Sequence, residues 1–431
     1  MSNADFVAVA GFVALFAMMA LRVPIGVAMG MVGIGGFAAI TGIKPALNLL
    51  AQSPIRVISD FNLSLIPFFI LMGVFATNSG MSRELFRAGH AWLGFLRGGM
   101  ALSTIAACGG FAAICGSSVA TAATMTKIAL PEMRRVGYSN ELASGVIAAG
   151  GTLGILIPPS VVLAVYAYIT EQDVGKLFIA GIVPGALAVI MYMLAVRVAY
   201  RRSLPPGDRF VLGDAVRSLR DVWAVLILFI AIIGSMYLGI ATATEAAAVG
   251  SVLTCLIGVL RGRLNLTKIM DSLIEALRTS VAIYTILIGA VLFGYFLAIT
   301  QTPQKITAFL VALDFGAYGT LALILLFFLI MGCILDAMAM IILLVPIVFP
   351  VILHLGFDPI WFGVIIVMTV ELGLITPPVG MNVFVINTIA RDVSLVTIFK
   401  GVFPFVLTDI LRLILLIVFP AIVLFLPMTM K

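Results

Sequence analysis

The sequence predicts an all-α polytopic membrane protein built as two inverted-topology repeats. Each repeat has five spans, one of them broken by Gly and Pro-Pro, plus one re-entrant helical hairpin. Three observations lead there. Of the 431 residues, 63% are hydrophobic and 10% charged, against roughly 45–50% and about 25% in soluble domains. Apolar runs of roughly 20 residues, the length that crosses a bilayer, recur along the whole chain. A glycine-rich stretch ending in Pro158-Pro159 lies inside one such run, and a second stretch ending in Pro377-Pro378 follows 219 residues later.

In chain order, residues 6–21 form a first span turned by Arg22-Val23-Pro24, and 25–41 a second whose glycines suit close helix packing in lipid. The first span is preceded by Asp5 rather than by basic residues, so it reads as retained and not as a cleaved signal peptide. The more polar 44–60 lies along the interface, and 63–78 is a third span. Residues 81–97 mix Arg83, Glu84, Arg87, His90 and Arg97 with Leu85, Phe86, Trp92 and Phe95, the pattern of a membrane-surface helix. From about 100 to 135 an apolar run reaches Gly116-Ser117-Ser118 and then continues to Arg134-Arg135. Two short helices around such a tip make a re-entrant hairpin. Residues from about 140 to 170 are the broken span, and 176–200 the next.

The polar stretch 201–220, with Pro205-Pro206-Gly207-Asp208, is a cytoplasmic linker between a first repeat (1–200) and a second (221–431). The second half retraces the first. Spans at 221–238 and 244–260 precede an amphipathic 265–278, the counterpart of 44–60. A span at 280–300 and a surface segment at 303–314 come next. The second hairpin covers about 319–350, the second broken helix about 359–390, and 403–426 is the last span. Five full crossings per half, an odd number, invert the second half. Placing the linker in the cytoplasm gathers most of the 25 Lys and Arg on that side and leaves both termini on the other. Counting the hairpins as ordinary spans would divide the basic segments between the faces.

The net charge of +6 is thus a membrane-orientation signal, and no basic, aromatic-interleaved segment for nucleic acid is present. Cys108, Cys115, Cys255 and Cys333 lie in apolar runs without a CxxC spacing and read as small packing residues. His90 and His354 stand in no metal or catalytic frame. The chemistry lies in the breaks. Proline removes an N–H and clashes with the preceding turn, so carbonyls lose their partners. Inside hydrocarbon that is tolerated only where the break is buried in protein or lines a cavity. Two such breaks in corresponding places of two halves point to a transport site.

These residues resemble a family. The two Gly…Pro-Pro breaks, the Gly-Ser-Ser tip, the Pro-Glu-Met-Arg-Arg-Val-Gly-Tyr run at 131–138 and the Thr-Pro-Pro-Val-Gly-Met-Asn run at 376–382 look like the large membrane subunit of TRAP transporters. These are tripartite ATP-independent periplasmic transporters. The resemblance spans essentially the whole chain. It implies an ion-transporter fold working as an elevator, and Na⁺-coupled import of a small organic acid such as a C4-dicarboxylate or sialic acid. It also implies a bacterial inner-membrane location, a periplasmic substrate-binding protein and a small membrane subunit, here a separate polypeptide. No enzyme activity and no cofactor beyond Na⁺ as coupling ion are expected.

Each Na⁺ site would be a hairpin tip facing a helix break, because carbonyl and hydroxyl oxygens suit a hard cation. Gly116, Ser117, Ser118 and Thr121 would face Gly150, Gly151, Thr152 and Gly154. In the second half, Gly332, Asp336 and Ala337 would face Glu371, Gly373, Thr376 and Pro377. Ser117, Ser118, Pro158, Pro159, Pro378 and Asn382 are the candidate substrate contacts. Shifted by 219 residues, Ser117 becomes Asp336 and Thr152 becomes Glu371, so one half carries the acids. Asp336 reads as an ion ligand or a cap of the tip. Glu371 reads either as tuning the second ion site or as bonding nearby backbone. Asp409 and Arg412 read as a local ion pair, Glu245 as a stabiliser of a helix start, and Lys127 as snorkelling inward. A single-component symporter of the same plan and a membrane-embedded enzyme are the rival readings. The enzyme lacks a histidine framed with Ser117, Ser118 or Asp336.

Overall fold

Glycine and proline set where the helices stop. The computed structural model describes residues 3–430, which are mostly helical, with no strand among them. The first half runs α1 (Asn3–Ala20), α2 (Ile25–Thr41), α3 (Ile43–Ile58), a 3-10 turn (Phe61–Ser64), α4 (Leu65–Asn78) and α5 (Met81–Leu93). The hairpin α6 (Gly99–Cys115) and α7 (Ser118–Arg135) follows, then the broken helix α8 (Asn140–Leu156) and α9 (Val161–Thr170), and α10 (Val174–Ala199). The second half runs α11 (Leu212–Tyr237), α12 (Ala243–Leu260), α13 (Leu266–Ile299) and α14 (Thr302–Ala312). Its hairpin is α15 (Gly316–Gly332) and α16 (Ala337–His354), and its broken helix α17 (Pro359–Ile375) and α18 (Met381–Ile389). Helices α19 (Leu395–Val418) and α20 (Ala421–Met428) end the chain. Among the described residues, eight helical segments are long and apolar enough to cross a membrane, with α8 and α9 taken together as one of them.

Three boundaries differ from the sequence reading. The segments 265–278 and 280–300 are one continuous helix of 34 residues. No glycine or proline lies between Arg278 and Ser280, and the Thr279 and Ser280 hydroxyls bond back to the Glu275 and Ala276 carbonyls within the helix. Its counterpart in the first half does divide, because Asp60 accepts from the Asn62 N–H and starts the 3-10 turn before α4. Helix α11 begins at Leu212, so the last part of the expected linker is helical. The last span starts at Leu395 and stops at Val418, where Phe419-Pro420 separates the short α20 from it.

Helices α1 to α4 and α11 to α13 make up a frame, while the hairpins, the broken helices, α10, α19 and α20 form a second group; α5 and α14 lie between them, packed chiefly on hairpin helices α6 and α16. A glycine seam holds the frame together. A Cβ on Gly26 of α2 would lie 2.6 Å from the Thr285 carbonyl oxygen of α13, and one on Gly289 would collide with the Gly26 carbonyl. In lipid, where the solvent is as apolar as leucine, such close backbone approach is a main source of helix association.

The two broken helices run in opposite directions. Tyr166, near the end of α9, donates to the Pro359 carbonyl at the start of α17 at 2.7 Å. At the other end, Arg134 joins Asn140, where α8 begins, to Asp392 just past α18. The halves also interlock, with α9 packed on hairpin helix α16 and α18 on hairpin helix α7.

The seam yields a prediction. Gly289→Ala forces α2 and α13 apart and should lower the melting temperature of the detergent-purified protein by several degrees, from overpacking worth about 1–3 kcal/mol. Gly35→Ala meets nothing within 4 Å and should leave the melting temperature unchanged or raise it, because alanine is the better helix former.

Candidate functional site

The tip of the first hairpin forms because Gly116 takes a left-handed conformation (φ 63°) and Ser117 then caps α7. The Ser117 hydroxyl accepts from the Ala120 N–H at 3.3 Å, and the Thr121 hydroxyl donates to the Ser117 carbonyl at 2.8 Å. This tip sits on the first break. A Cβ on Gly116 would lie 2.7 Å from the Pro159 carbonyl oxygen, and one on Gly154 would lie 2.7 Å from the Ser117 carbonyl carbon. Gly150 and Gly151 make room for the two arms, Gly150 against Cys108 of α6 and Gly151 against Ala122 of α7. Pro158 and Pro159 have no N–H to return to the Gly154 and Ile155 carbonyls. The buried Ser160 hydroxyl takes the Ile155 carbonyl and, as cap of α9, accepts from Leu163 N–H.

The second tip repeats the plan with different chemistry. Asp336 caps α16, accepting from the Ala339 N–H at 3.0 Å. Gly332 and Gly373 meet backbone to backbone, a Cβ on Gly373 lying 2.8 Å from the Gly332 Cα. The Thr376 hydroxyl returns to the Leu372 carbonyl at 2.6 Å. Both Pro-Pro bonds are cis. Exposure separates the halves: Pro158 and Pro159 are buried, whereas Pro377, Pro378 and Asp336 are exposed.

Between the two breaks lies a chain of polar side chains, none more than 2% exposed. Thr152 of α8 is 3.2 Å from the Tyr192 hydroxyl of α10, which donates to Asp409 at 2.8 Å. Asp409 pairs with Arg412 one turn along α19 at 2.9 Å, and Arg412 reaches Glu371 of α17 at 3.2 Å. The guanidinium also lies 5.6 Å from the Tyr192 ring centre. Thr152 and Glu371 are the 219-shifted counterparts, so the corresponding positions of the two repeats end one path of hydrogen bonds and ion pairs.

This corrects the sequence reading at two places. Glu371 does not bond nearby backbone; its hydrogen-bond partner is Arg412, and its Oε1 has none among the described residues. The Asp409–Arg412 pair exists but is not merely local, since it continues to both halves. Tyr192 was not singled out at all. An arginine within a span was the available signal, because an intramembrane charge demands a partner, and Asp409 three residues earlier concealed the second one.

The structure brings Gly116, Ser117 and Thr121 together with Gly150, Gly151 and Gly154, and Gly332 with Gly373. Ser118 is buried beside the first tip, while Ala337 begins α16. Asn382 is fully buried and donates to the Ala148 carbonyl of α8 at 3.3 Å, leaving its Oδ1 without a partner. Glu245 closes a capping box with Thr242, His90 pairs with Asp208 of the linker at 3.1 Å, and the four cysteines are free. A cavity of about 1160 Å³ opens on the face opposite the linker, between α13 of the frame and α9 and α16 of the second group. Asp60, Glu171, Asp173 and Glu245 line it against one arginine, Arg56.

Residues 12–422 match the family described as the tripartite ATP-independent periplasmic transporter, DctM component. The chain is 37% identical over 398 residues to the C4-dicarboxylate TRAP transporter large permease protein DctM of Pseudomonas aeruginosa, covering 90% of this chain and 93% of that protein. It is 34% identical over 421 residues to the isethionate TRAP transporter permease protein DctMQ of Oleidesulfovibrio alaskensis, covering 96% of this chain and 65% of that one. Among solved structures, the YdaH transporter of Alcanivorax borkumensis aligns with a TM-score of 0.64 over 88% of this chain and 90% of that chain. At 16% identity that likeness is one of fold.

The buried network predicts unequal costs. Arg412→Met strands two carboxylates and should destabilise the protein by about 3–5 kcal/mol. Glu371→Gln keeps an acceptor for the guanidinium and should cost clearly less. Thermal unfolding of the purified variants, ranked Arg412→Met well below Glu371→Gln and wild type, checks this; equal melting temperatures would remove the network from the account.

Proposed function

This chain belongs to the DctM component family of tripartite ATP-independent periplasmic transporters, and from that membership we propose that it is the transport subunit of a Na⁺-coupled symporter importing a small organic acid by an elevator mechanism. The observation that carries the reading is the pair of hairpin tips, each seated on a helix break, in two halves that run in opposite directions. Tips and breaks together offer hydroxyls and carbonyls that the prolines deprive of helix N–H donors, the ligands a hard monovalent cation takes. The first Na⁺ would sit among Ser117, Thr121 and the Gly154 region, the second near Asp336 and Thr376. The acid-rich cavity opposite the linker supports cation entry from that side, because clefts lined by one sign of charge concentrate the opposite ion.

The carboxylate cargo would lie between the tips, near Ser117, Ser118 and Pro378. Arg412 is not assigned as its anchor, since the side chain is fully buried and its Nη2 is paired with both Glu371 and Asp409. The division into a glycine-sealed frame and an interlocked second group supports rigid sliding of the latter against the former. The relatives' names differ in cargo, C4-dicarboxylate in one and isethionate in the other, which favours selectivity set largely by a periplasmic substrate-binding protein. A small membrane subunit on a separate chain, an inner-membrane location and periplasmic termini complete the proposal. One charge crossing 100 mV is worth about 2.3 kcal/mol. A dianion moving with two Na⁺ would therefore gain nothing from the potential, and one moving with three would.

In proteoliposomes supplied with the cognate binding protein, Ser117→Ala and Asp336→Ala should raise the Na⁺ concentration needed for half-maximal uptake. Each also removes a helix cap worth about 1 kcal/mol, so melting temperatures are measured in parallel. Unchanged Na⁺ activation in both variants overturns the site assignment. A second expectation is that uptake needs the binding protein; reconstituted membrane subunits that carry cargo without it would indicate a single-component symporter instead.

A further inference from the structure

We propose that the cleft between α7 and the start of α5, on the linker face, is a binding site for an anionic oxyacid group, either a carboxylate or a phosphate. The cleft encloses about 370 Å³, and four cations, Arg83, Lys127, Arg263 and Lys268, line it without any Asp or Glu. Glu84, beside Arg83 in sequence, offsets only one of them: its carboxylate is shared between Arg263 at 3.3 Å and Arg261, outside the lining, at 2.8 Å, which leaves Arg83, Lys127 and Lys268 without a carboxylate partner among the described residues. Among the described residues, the Arg83 and Lys127 side chains make no ion pair or hydrogen bond to protein.

Backbone geometry adds a donor to these charges. Helix α5, 13 residues long, starts from Gly80 in a left-handed conformation with no side-chain cap. The Arg83 and Glu84 N–H groups return to the Gly80 carbonyl, so the Ser82 N–H has no acceptor and the positive end of the helix faces the cleft. The Thr124 hydroxyl lines the opposite wall. Cationic side chains, an uncapped helix start and hydroxyls together make an anion site rather than a cation site or an apolar groove.

Its position explains what such a site would do. Gly73 of α4 packs on the backbone of Cys115 at the first tip, and Thr77, one turn further along α4, lines the cleft. On the hairpin, Thr124 lies one turn beyond Thr121. The cleft therefore begins about one helical turn from the tip, with the hairpin as one wall and frame helices as the other. An anion leaving the tip toward the linker face meets it first, and an anionic lipid headgroup could enter it from the membrane surface.

The test is thermal unfolding of the whole protein in nanodiscs, with no Na⁺ gradient or binding protein, so its failure is distinct from failure of the symport reading. In phosphatidylcholine discs, succinate should raise the melting temperature by several degrees over sodium chloride of equal ionic strength. Alternatively, replacing part of the phosphatidylcholine by phosphatidylglycerol should do so. Succinate as the active probe identifies a carboxylate cargo as the source, phosphatidylglycerol alone identifies a lipid headgroup, and both outcomes support the site. Lys127→Gln and Arg83→Gln, neither of which breaks an ion pair or hydrogen bond among the described residues, should each at least halve the shift, and the double variant should abolish it. No shift with either probe, or a shift undiminished in the double variant, overturns the proposal.

Discussion

Hydrocarbon supplies no hydrogen-bond partners, and a break in a helix within this fold has to be seated against protein or line a cavity. That constraint explains why hairpin and break come as a unit. The Pro158-Pro159 pair strips N–H donors from the carbonyls of one turn, and what covers that turn is the tip of α6–α7, brought close by Gly116, Gly151 and Gly154. A side chain at any of these glycines would push the tip away. The same logic holds at Gly332 and Gly373. Placing oxygen-rich backbone at mid-helix and walling it with glycine are thus one arrangement.

The two halves share this plan without sharing its chemistry. Ser160 caps the Ile155 carbonyl at the first break, and Val379 at the corresponding place has no such hydroxyl. The first break is buried and the second reaches the surface, so the halves differ in how open their breaks are. The path from Thr152 through Tyr192, Asp409 and Arg412 to Glu371 ties the breaks together. Two carboxylates and one guanidinium in a dry interior are costly singly and tolerable only as a set, which binds α8, α10, α17 and α19 into one body.

Much of the fold was legible because punctuation in a membrane chain is strong. The breaks, the hairpin centres at Gly116–Ser117 and around Gly332–Asp336, and the inversion implied by an odd number of crossings all follow from glycine, proline and the placement of Lys and Arg. Where punctuation is absent, legibility fails. The change from amphipathic to apolar near Arg278 looks like a boundary, yet α13 continues, because hydropathy marks the membrane surface and not the end of a helix. The last span misled in the opposite way, dividing at Phe419-Pro420 inside an unbroken apolar run.

Family membership, the repeat and the residues at tips and breaks were determined by the sequence alone, since each rests on local chemistry that a chain displays in order. Only the tertiary structure decided that Glu371 pairs with Arg412, 41 residues away, and that Tyr192 carries the path on to Thr152. It also decided that Arg83 and Lys127 share a cleft. Partner choice among buried or clustered charges depends on which helix faces are brought together, and in spans that are apolar nearly all round no periodic pattern records which face turns inward.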